Sequence, residues 1–479
     1  MGFLVLVHRW LGVAFCLPVA MWFVTGMVMH FVPFPTPQKD DRIVDAAAID
    51  FARVRHGPGE AVAASGIGGV TRVRLIARSD GPIYLISGPS GAKAVRADNL
   101  LDGATRTEQA VLAIGIDYAR RHAGASPAAA IHVLRHDQWT LSAEYDRHRP
   151  LYRIALDDAA ASELYVSSMS GQVVLTTTGR TRAWNYAGSV LHWIYFAALR
   201  SHPAAWHAVM WWLSLFALFG VAAGAVIGPA RVKVEAGRLV SPFRGWQAWH
   251  HWLGLGCLPF LFTWLLSGWL SLDDGRLFSS GRPTAAETAA LLGAPAWDAL
   301  PPDEIHRLRA PVREVSWFAF AGRIYRSERD TAGPRHLFVA ARENQSVRPN
   351  QEFLRLDEID AAARHFTQPC EPAFVVPPDD TYAPAAAMRG SVFRVVCGED
   401  WFHIDGKDGA LLGKLDSSRR RYRWLYDGLH KLDFPPLRQY PAVRTILIVM
   451  LCTCGLIFSV SAMVIAARRI LGVSSAYRD

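Results

Sequence analysis

The chain is short of charge. Asp, Glu, Lys and Arg make up only 19% of its 479 residues, and four stretches contain none of them. These are Trp10–Val32, Pro203–Ala230, Trp252–Leu272 and Thr445–Ala467. A helix crosses a bilayer core with about 20 apolar residues, and a soluble core helix of such length and purity is not expected, so each stretch predicts a transmembrane helix. No long Lys/Arg run accompanies the net charge of +9. Nucleic acid is therefore excluded as a partner, and dispersed basic residues suit anionic lipid headgroups or an acidic ligand. No small-residue cleavage site follows the first apolar run, which is also too long for a signal peptide, so a retained anchor is expected. The sequence has no phosphate-binding Gly-rich loop, CxxC, CxxCH or HExxH, and Gly66-Ile-Gly-Gly69 lacks the strand-to-helix context of a nucleotide site. If the protein moves electrons, they arrive from a quinol or another carrier.

What is abundant is tryptophan, with 17 residues, as befits membrane interfaces. The short segment between the second and third spans holds Arg231, Lys233, Arg238 and Arg244 against Glu235, and the tail after the fourth holds Arg468, Arg469 and Arg478. Short basic loops stay in the cytoplasm. Both termini are thus expected inside, with segments 33–202 and 273–444 outside, in the periplasm of a bacterial cell. Cys16, Cys257, Cys452 and Cys454 lie in spans; Cys370 and Cys397 share one outside segment. An oxidising compartment makes that pair a disulfide candidate, against two buried free thiols.

The chain repeats itself. His8-Arg-Trp-Leu-Gly12 opens the first span and His250-His-Trp-Leu-Gly254 the third; the same offset sets Thr25-Gly26 on Ser267-Gly268. Leu191-His192 precedes the second span and Leu429-His430 the fourth. Upstream lie two strand-turn-strand segments, Leu164–Val173 and Phe402–Leu411, whose Gly171 and Gly409 suit turns that need positive φ. The unit of helix, outside domain, Leu-His segment and helix occurs twice in the same orientation, a tandem parallel repeat. Alternating-access transporters more commonly use inverted repeats, which weighs against a transporter.

The outside segments read as α+β. Strands are expected at Arg72–Ala77, Pro82–Ser87, Leu151–Leu156, Glu163–Thr176, Glu314–Phe320, His336–Ala341 and Val392–Ile404. Helices are expected at Arg106–His122 and Leu354–Phe366, and loops at Ala123–Ala130 and Pro377–Ala387.

Six histidines lie in spans or near their ends: His8, His250, His30, His207, His192 and His430. Ionisable groups at membrane depth are functional candidates. Imidazoles from two helices can clamp a b-type haem, whose flat apolar ring suits a bundle core. Small residues make room for such a ring: Gly12 and Gly254 follow His8 and His250 by four, and Gly26 precedes His30 by four, positions that share a helix face. The competing reading is interfacial anchors like the neighbouring tryptophans. The repeat favours His8 with His250 and His192 with His430, but not His30, whose counterpart is Leu272. His251 is a substitute or supporting group, and His403, the counterpart of Tyr165, reads as a strand residue.

His8–Gly12, Asn185-Tyr-Ala-Gly-Ser-Val-Leu-His-Trp-Ile-Tyr-Phe196, His250–Gly254 and Tyr422-Arg-Trp-Leu-Tyr-Asp-Gly-Leu-His-Lys-Leu-Asp-Phe434 together resemble the PepSY-associated transmembrane proteins of bacterial inner membranes, over nearly the whole chain. The resemblance implies an integral membrane α-helical bundle with two α+β PepSY-like periplasmic domains. The expected division is helix 1 at 1–32, PepSY-like domains at 33–190 and 273–428, and helix 3 at 250–272. Leu-His segments with helices 2 and 4 fall at 191–230 and 429–467, a cytoplasmic loop at 231–249 and a tail at 468–479. Some members are di-haem reductases that deliver electrons to ferric siderophores. The first turn, Ser167-Ser-Met-Ser-Gly171, departs from the acidic Asp405-Gly-Lys-Asp-Gly409 of the second. The expected function is an inner-membrane oxidoreductase with two haem b groups. Electrons enter near His8 and His250 and leave near His30, His192, His207 and His430 to a ferric siderophore or other periplasmic ligand. The alternative is a membrane-anchored binding or regulatory module without redox activity.

Overall fold

Each charge-free run folds as one long helix, the arrangement in which an apolar segment satisfies its own backbone polar groups without water. The computed structural model describes residues 1–37, 46–105, 107–121, 126–273, 277–308, 311–330, 336–340, 351–384, 386–387 and 391–472. Among them are eight α-helices of eight or more residues: α1 (Gly2–Phe31), α2 (Pro58–Ser65), α3 (Glu108–Arg121), α4 (Pro203–Arg231), α5 (Gly245–Leu270), α6 (Ala285–Leu292), α7 (Leu356–Ala363) and α8 (Pro441–Ile470). Four of these, α1, α4, α5 and α8, are long and apolar enough to cross a membrane. The chain divides into a helical unit (Met1–Phe34, Thr181–Ser280, Ser418–Asp479) and a sheet unit (Pro35–Arg180, Gly281–Ser417).

In the helical unit α1 and α5 each pack against both α4 and α8, closing a four-helix ring. Val19, Phe23, Ala217, Cys257, Leu261, Ile448 and Cys452 fill its centre. Close packing relies on small residues, as between apolar helices generally: a Cβ on Gly455 would run into the Phe23 ring. Leu17, Phe216, Phe219, Ile446 and Ile457 point outward and are exposed, a surface suited to lipid rather than water. Before α4 and α8 the chain makes a wide π-helical turn at Tyr186–Val190 and Trp424–Gly428, then a residue of positive φ, Ile194 (47°) and Leu432 (51°). Equivalent positions are 238 residues apart here, as His192 and His430 are. The basic segment between α4 and α5 forms a short hairpin, β8 (Lys233–Glu235) with β9 (Arg238–Val240).

The sheet unit contains β1 (Arg72–Ile76), β2 (Ile83–Gly88), β3 (Gly91–Arg96), β4 (Ser126–Leu134), β5 (Leu151–Asp157), β6 (Glu163–Ser167) and β7 (Val173–Thr177) from the first copy. The second contributes β10 (Glu314–Phe320), β11 (Arg323–Arg329), β12 (His336–Val339), β13 (Phe374–Val375), β14 (Val392–Cys397), β15 (Asp400–Asp405) and β16 (Leu411–Leu415). The two copies, expected as two domains, share one antiparallel sheet in the order β12-β11-β10-β1-β2-β3. A three-stranded meander from either copy would leave β1 or β10 with an unpaired edge, and pairing the two edges satisfies both. The register is symmetric: Arg74 faces Ser316, 242 residues on, the offset that relates His8 to His250. One face of this sheet carries Val73, Leu75, Tyr84, Ile86, Val315 and Trp317 in a single core. The other two sheets, β4-β5-β6-β7 and β13-β14-β15-β16, belong to one copy each. Helices α3 and α7 pack on them through Val111 and Ala119, and through Ile359 and Ala362.

The local expectations shift at several points. The run Ala123–Ala130, read as loop, enters β4 at Ser126; 123–125 lie outside the described residues. Val392–Ile404 is two strands about a turn at Gly398, φ 62°. The second helix stops at Ala363 rather than Phe366, and β3, rich in Ala and Gly, carries too little apolar alternation to be seen in advance. The helix expected at Arg106–His122 spans Glu108–Arg121, both of its predicted end residues lying outside the described residues. So does Ala341, at the predicted end of β12. Gly171 and Gly409 adopt positive φ, 68° and 66°.

Candidate functional site

The repeat in the helices brings four histidines together as two pairs. His192 and His430 have ring centres 6.5 Å apart, with planes at 72°. Each is held by the helix that the repeat assigns to it. Thr25 on α1 gives its hydroxyl proton to the Met21 carbonyl at 2.8 Å, so it accepts from His192 Nδ1, 2.9 Å away. Ser267 on α5 donates to the Trp264 carbonyl at 3.1 Å and accepts from His430 Nδ1, also at 3.1 Å. Gly26 and Gly268 follow these hydroxyl residues, and a Cβ there would lie 3.4 and 3.3 Å from the two imidazole Cε1 atoms. Trp22 and Trp264 fix the turns from the side, donating to the His192 and Leu429 carbonyls at 3.0 and 2.9 Å.

The other pair is His8 on α1 and His250 on α5, with ring centres 6.2 Å apart and planes at 43°. His8 Nδ1 donates to the Gly220 carbonyl at 2.9 Å. His250 Nδ1 donates to Ser461 Oγ at 3.1 Å, whose own proton goes to the Phe458 carbonyl at 2.6 Å. Here α4 and α8 supply the support. A Cβ on Gly224 would fall 2.7 Å from His8 Cε1, so glycine is required for that ring position. Phe458 stacks on His250 at 4.7 Å.

All four rings therefore commit Nδ1–H to a fixed acceptor. That tautomer leaves Nε2 with its lone pair, the state in which a second hydrogen bond orients a metal-ligating imidazole. A metal–imidazole bond is about 2 Å long and a ring centre lies roughly 1 Å behind its nitrogen, so two imidazoles on opposite sides of one metal have centres roughly 6 Å apart. Both pairs fit that spacing. Among the described residues no group of three or more His, Cys, Asp or Glu side chains is placed to hold a bare metal ion. A metal that brings its own equatorial ligands, as haem iron does, needs only such a pair. Gly26 lies 18 residues beyond His8 on α1, about 27 Å along the helix. One porphyrin cannot serve both pairs.

The other candidate histidines, His30, His207 and His251, bond to groups other than histidine. His30 Nε2 meets Thr445 Oγ1 at 2.9 Å, and His207 Nε2 donates to the Leu272 carbonyl at 2.6 Å. His251 uses both nitrogens, on Ser241 Oγ (2.8 Å) and the Gly228 carbonyl (2.9 Å), and ties the basic hairpin to the helices. Gly12 has nothing near its Cβ position, and Gly254 faces Phe458. The glycines that border histidines do so across helices, not one turn along the same helix.

A cavity of about 750 Å³ adjoins the second pair. Its wall includes His192, His430, Trp22, Trp193, Trp206, Trp264, Tyr426, Lys431 and Arg444, with His30 at the same wall. This size and this largely apolar lining, rich in aromatic rings, suit a large flat ligand.

No protein-family model matches the chain, and no curated protein or solved structure matches it either.

Sequence reasoning named the four paired histidines but missed what orients them. The Thr25-Gly26 and Ser267-Gly268 dipeptides were visible as a repeat, and their hydroxyls were the available signal. Ser461 and Gly224 gave none, because the repeat equivalent of Ser461 is Ala223 and glycine is common in apolar helices. In the sheet unit ion pairs are set between buried and half-buried side chains. Arg74 meets Glu314 at 2.6 Å across the shared β1–β10 seam, and Arg394 meets Asp380 at 2.6 Å while donating from Nε to His403 Nε2 at 2.8 Å. Cys370 and Cys397 are joined by a disulfide.

Proposed function

We propose that this protein is a haem-containing reductase of the bacterial inner membrane, of the PepSY-associated type. In this reading it passes electrons across the membrane to a periplasmic ferric chelate such as a ferric siderophore. The observation that carries the reading is the pairing of His8 with His250 and of His192 with His430, each at bis-imidazole spacing and each with Nδ1 already engaged. Haem held by each pair supplies one-electron redox chemistry. The protein's own part is to fix the ligand tautomers, to pack aromatic rings such as Phe458 and Tyr426 against the imidazoles, and to set the pairs far apart along α1. The basic segment Arg231–Arg244 supports an orientation in which the His8–His250 end faces the cytoplasm and its quinol or other donor. The sheet unit would then stand in the periplasm, where the disulfide suits the redox conditions.

The test is oxidation of the reduced protein. Full-length protein reduced with a limiting amount of dithionite should lose its reduced-haem absorbance when a ferric hydroxamate chelate is added. It should keep that absorbance when the same chelator carries gallium, which has the same charge but accepts no electron. Equal stability with both would remove the reductase reading and leave a binding or regulatory role.

A further inference from the structure

The repeat predicts a cavity with two equivalent halves, and the structure departs from that in its charge. One residue and fourteen residues after His192 stand Trp193 and Trp206; at the same distances after His430 stand Lys431 and Arg444. All four line the cavity. The local backbone is otherwise the same in both copies, with π-turns at Tyr186–Val190 and Trp424–Gly428 and positive φ at Ile194 and Leu432. The substitution of two indoles by two cations is therefore a chemical difference on a common frame.

We infer that this asymmetry orients the ligand: Lys431 and Arg444 hold the carboxylate edge of an amphipathic tetrapyrrole, and Trp193 and Trp206 receive its apolar edge. The inference rests on the haem reading above. Lys431 spends one of its donors on Asp427 Oδ1 at 2.8 Å and lies over the Tyr426 ring at 4.5 Å, and Tyr426 stacks on His430. An ammonium has three donors, so two remain. Arg444 Nε and Nη2 donate to the Lys431 carbonyl at 3.0 and 2.8 Å, which fixes the guanidinium beside Lys431 and leaves Nη1 uncommitted. The first copy does have a cation close by: Arg200 lies over Tyr195 and Trp206, at 5.2 and 5.0 Å, but it is not part of the cavity wall. On the other side Trp206 Nε1 is satisfied by the Trp193 carbonyl at 2.9 Å, so the Trp206 indole offers the cavity its carbon surface rather than a free donor. Charge-assisted hydrogen bonds to carboxylates are the strong ones, and an uncharged ester forfeits them.

The experiment uses full-length protein with His8→Ala and His250→Ala, so that only the His192–His430 pair binds, produced under haem depletion and titrated with haem or haem dimethyl ester. Haem should bind about tenfold or more tightly than the ester. Lys431→Gln with Arg444→Gln should bring the two within about twofold while the low-spin spectrum stays unchanged, and Lys431→Arg with Arg444→Lys should restore the preference. Equal binding of acid and ester by the cationic protein, or a preference that survives the double Gln substitution, would overturn the inference. No haem binding by the unaltered protein would remove the haem reading itself, and this inference with it.

Discussion

Thr25 accepts the Nδ1 proton of His192 at 2.9 Å, and 242 residues later Ser267 does the same for His430. The hydroxyls are thus part of the histidine site. Thr25→Val keeps the shape and removes the acceptor. Loss of such a supporting bond typically lowers metal affinity about 10–100-fold. Haem retained per chain at the His192 pair should fall accordingly through purification, and Thr25→Ser should retain it. Equal retention in the Val variant would mean that the hydroxyl only packs.

Glycine supplies a contrast within the same bundle. Gly224→Ala puts a methyl group 2.7 Å from the His8 ring, whereas the position of a Cβ on Gly12 is open. The first substitution should displace His8 and deplete the site it shares with His250; the second should leave the spectrum as it was. If Gly12→Ala were the damaging one, the ring would approach α1 along its own helix, as same-face spacing alone suggests.

Much of this was legible in advance, and the misses have physical causes. Absence of charge located all four long helices, but it placed the first one at Trp10 when the helix begins at Gly2, because His8 and Arg9 interrupt an apolar run without interrupting a helix. The β10 strand was readable from its own alternation. Its pairing with β1 was not, because no local pattern in either strand reports an edge that is completed by a partner 242 residues away. The histidine pairs followed from the repeat. The acceptors of His8 and His250, on α4 and α8, depend on which helix faces meet around the ring, which spacing within one helix does not contain.

The sheet unit should respond to acid through His403. This ring is 3% exposed and accepts from Arg394 Nε, so burial first and the guanidinium second push its pKa down to about 4. An unfolded histidine binds its proton near 6.5. Between those values the unfolded chain holds more protons than the folded one, so stability rises with pH. The contribution is intact above about 6.5 and is lost as pH falls through about 4, a total on the order of 3 kcal/mol. For Asp380 burial raises the pKa, but the hydrogen bonds and charge of Arg394, with the Tyr382 N–H, outweigh it and hold the carboxyl below its usual range, so its loss comes only at still lower pH. Unfolding of the full-length protein in detergent, followed through Trp401 and the other sheet-unit tryptophans, should show this acid-side loss. His403→Gln should flatten it between about pH 6.5 and 4. An unchanged slope in that variant would assign the pH response to other groups.

The central claim is that two separate histidine pairs each hold one haem, and haem content with optical spectra tests it most directly. Full-length protein purified from membranes of haem-replete cells should carry two b-type haems per chain with low-spin bands after reduction. Replacing His8 or His250 by Ala should remove one population, and replacing His192 or His430 should remove the other while the first remains. A colourless, well-folded protein would contradict the account, as would bound haem that survives all four substitutions.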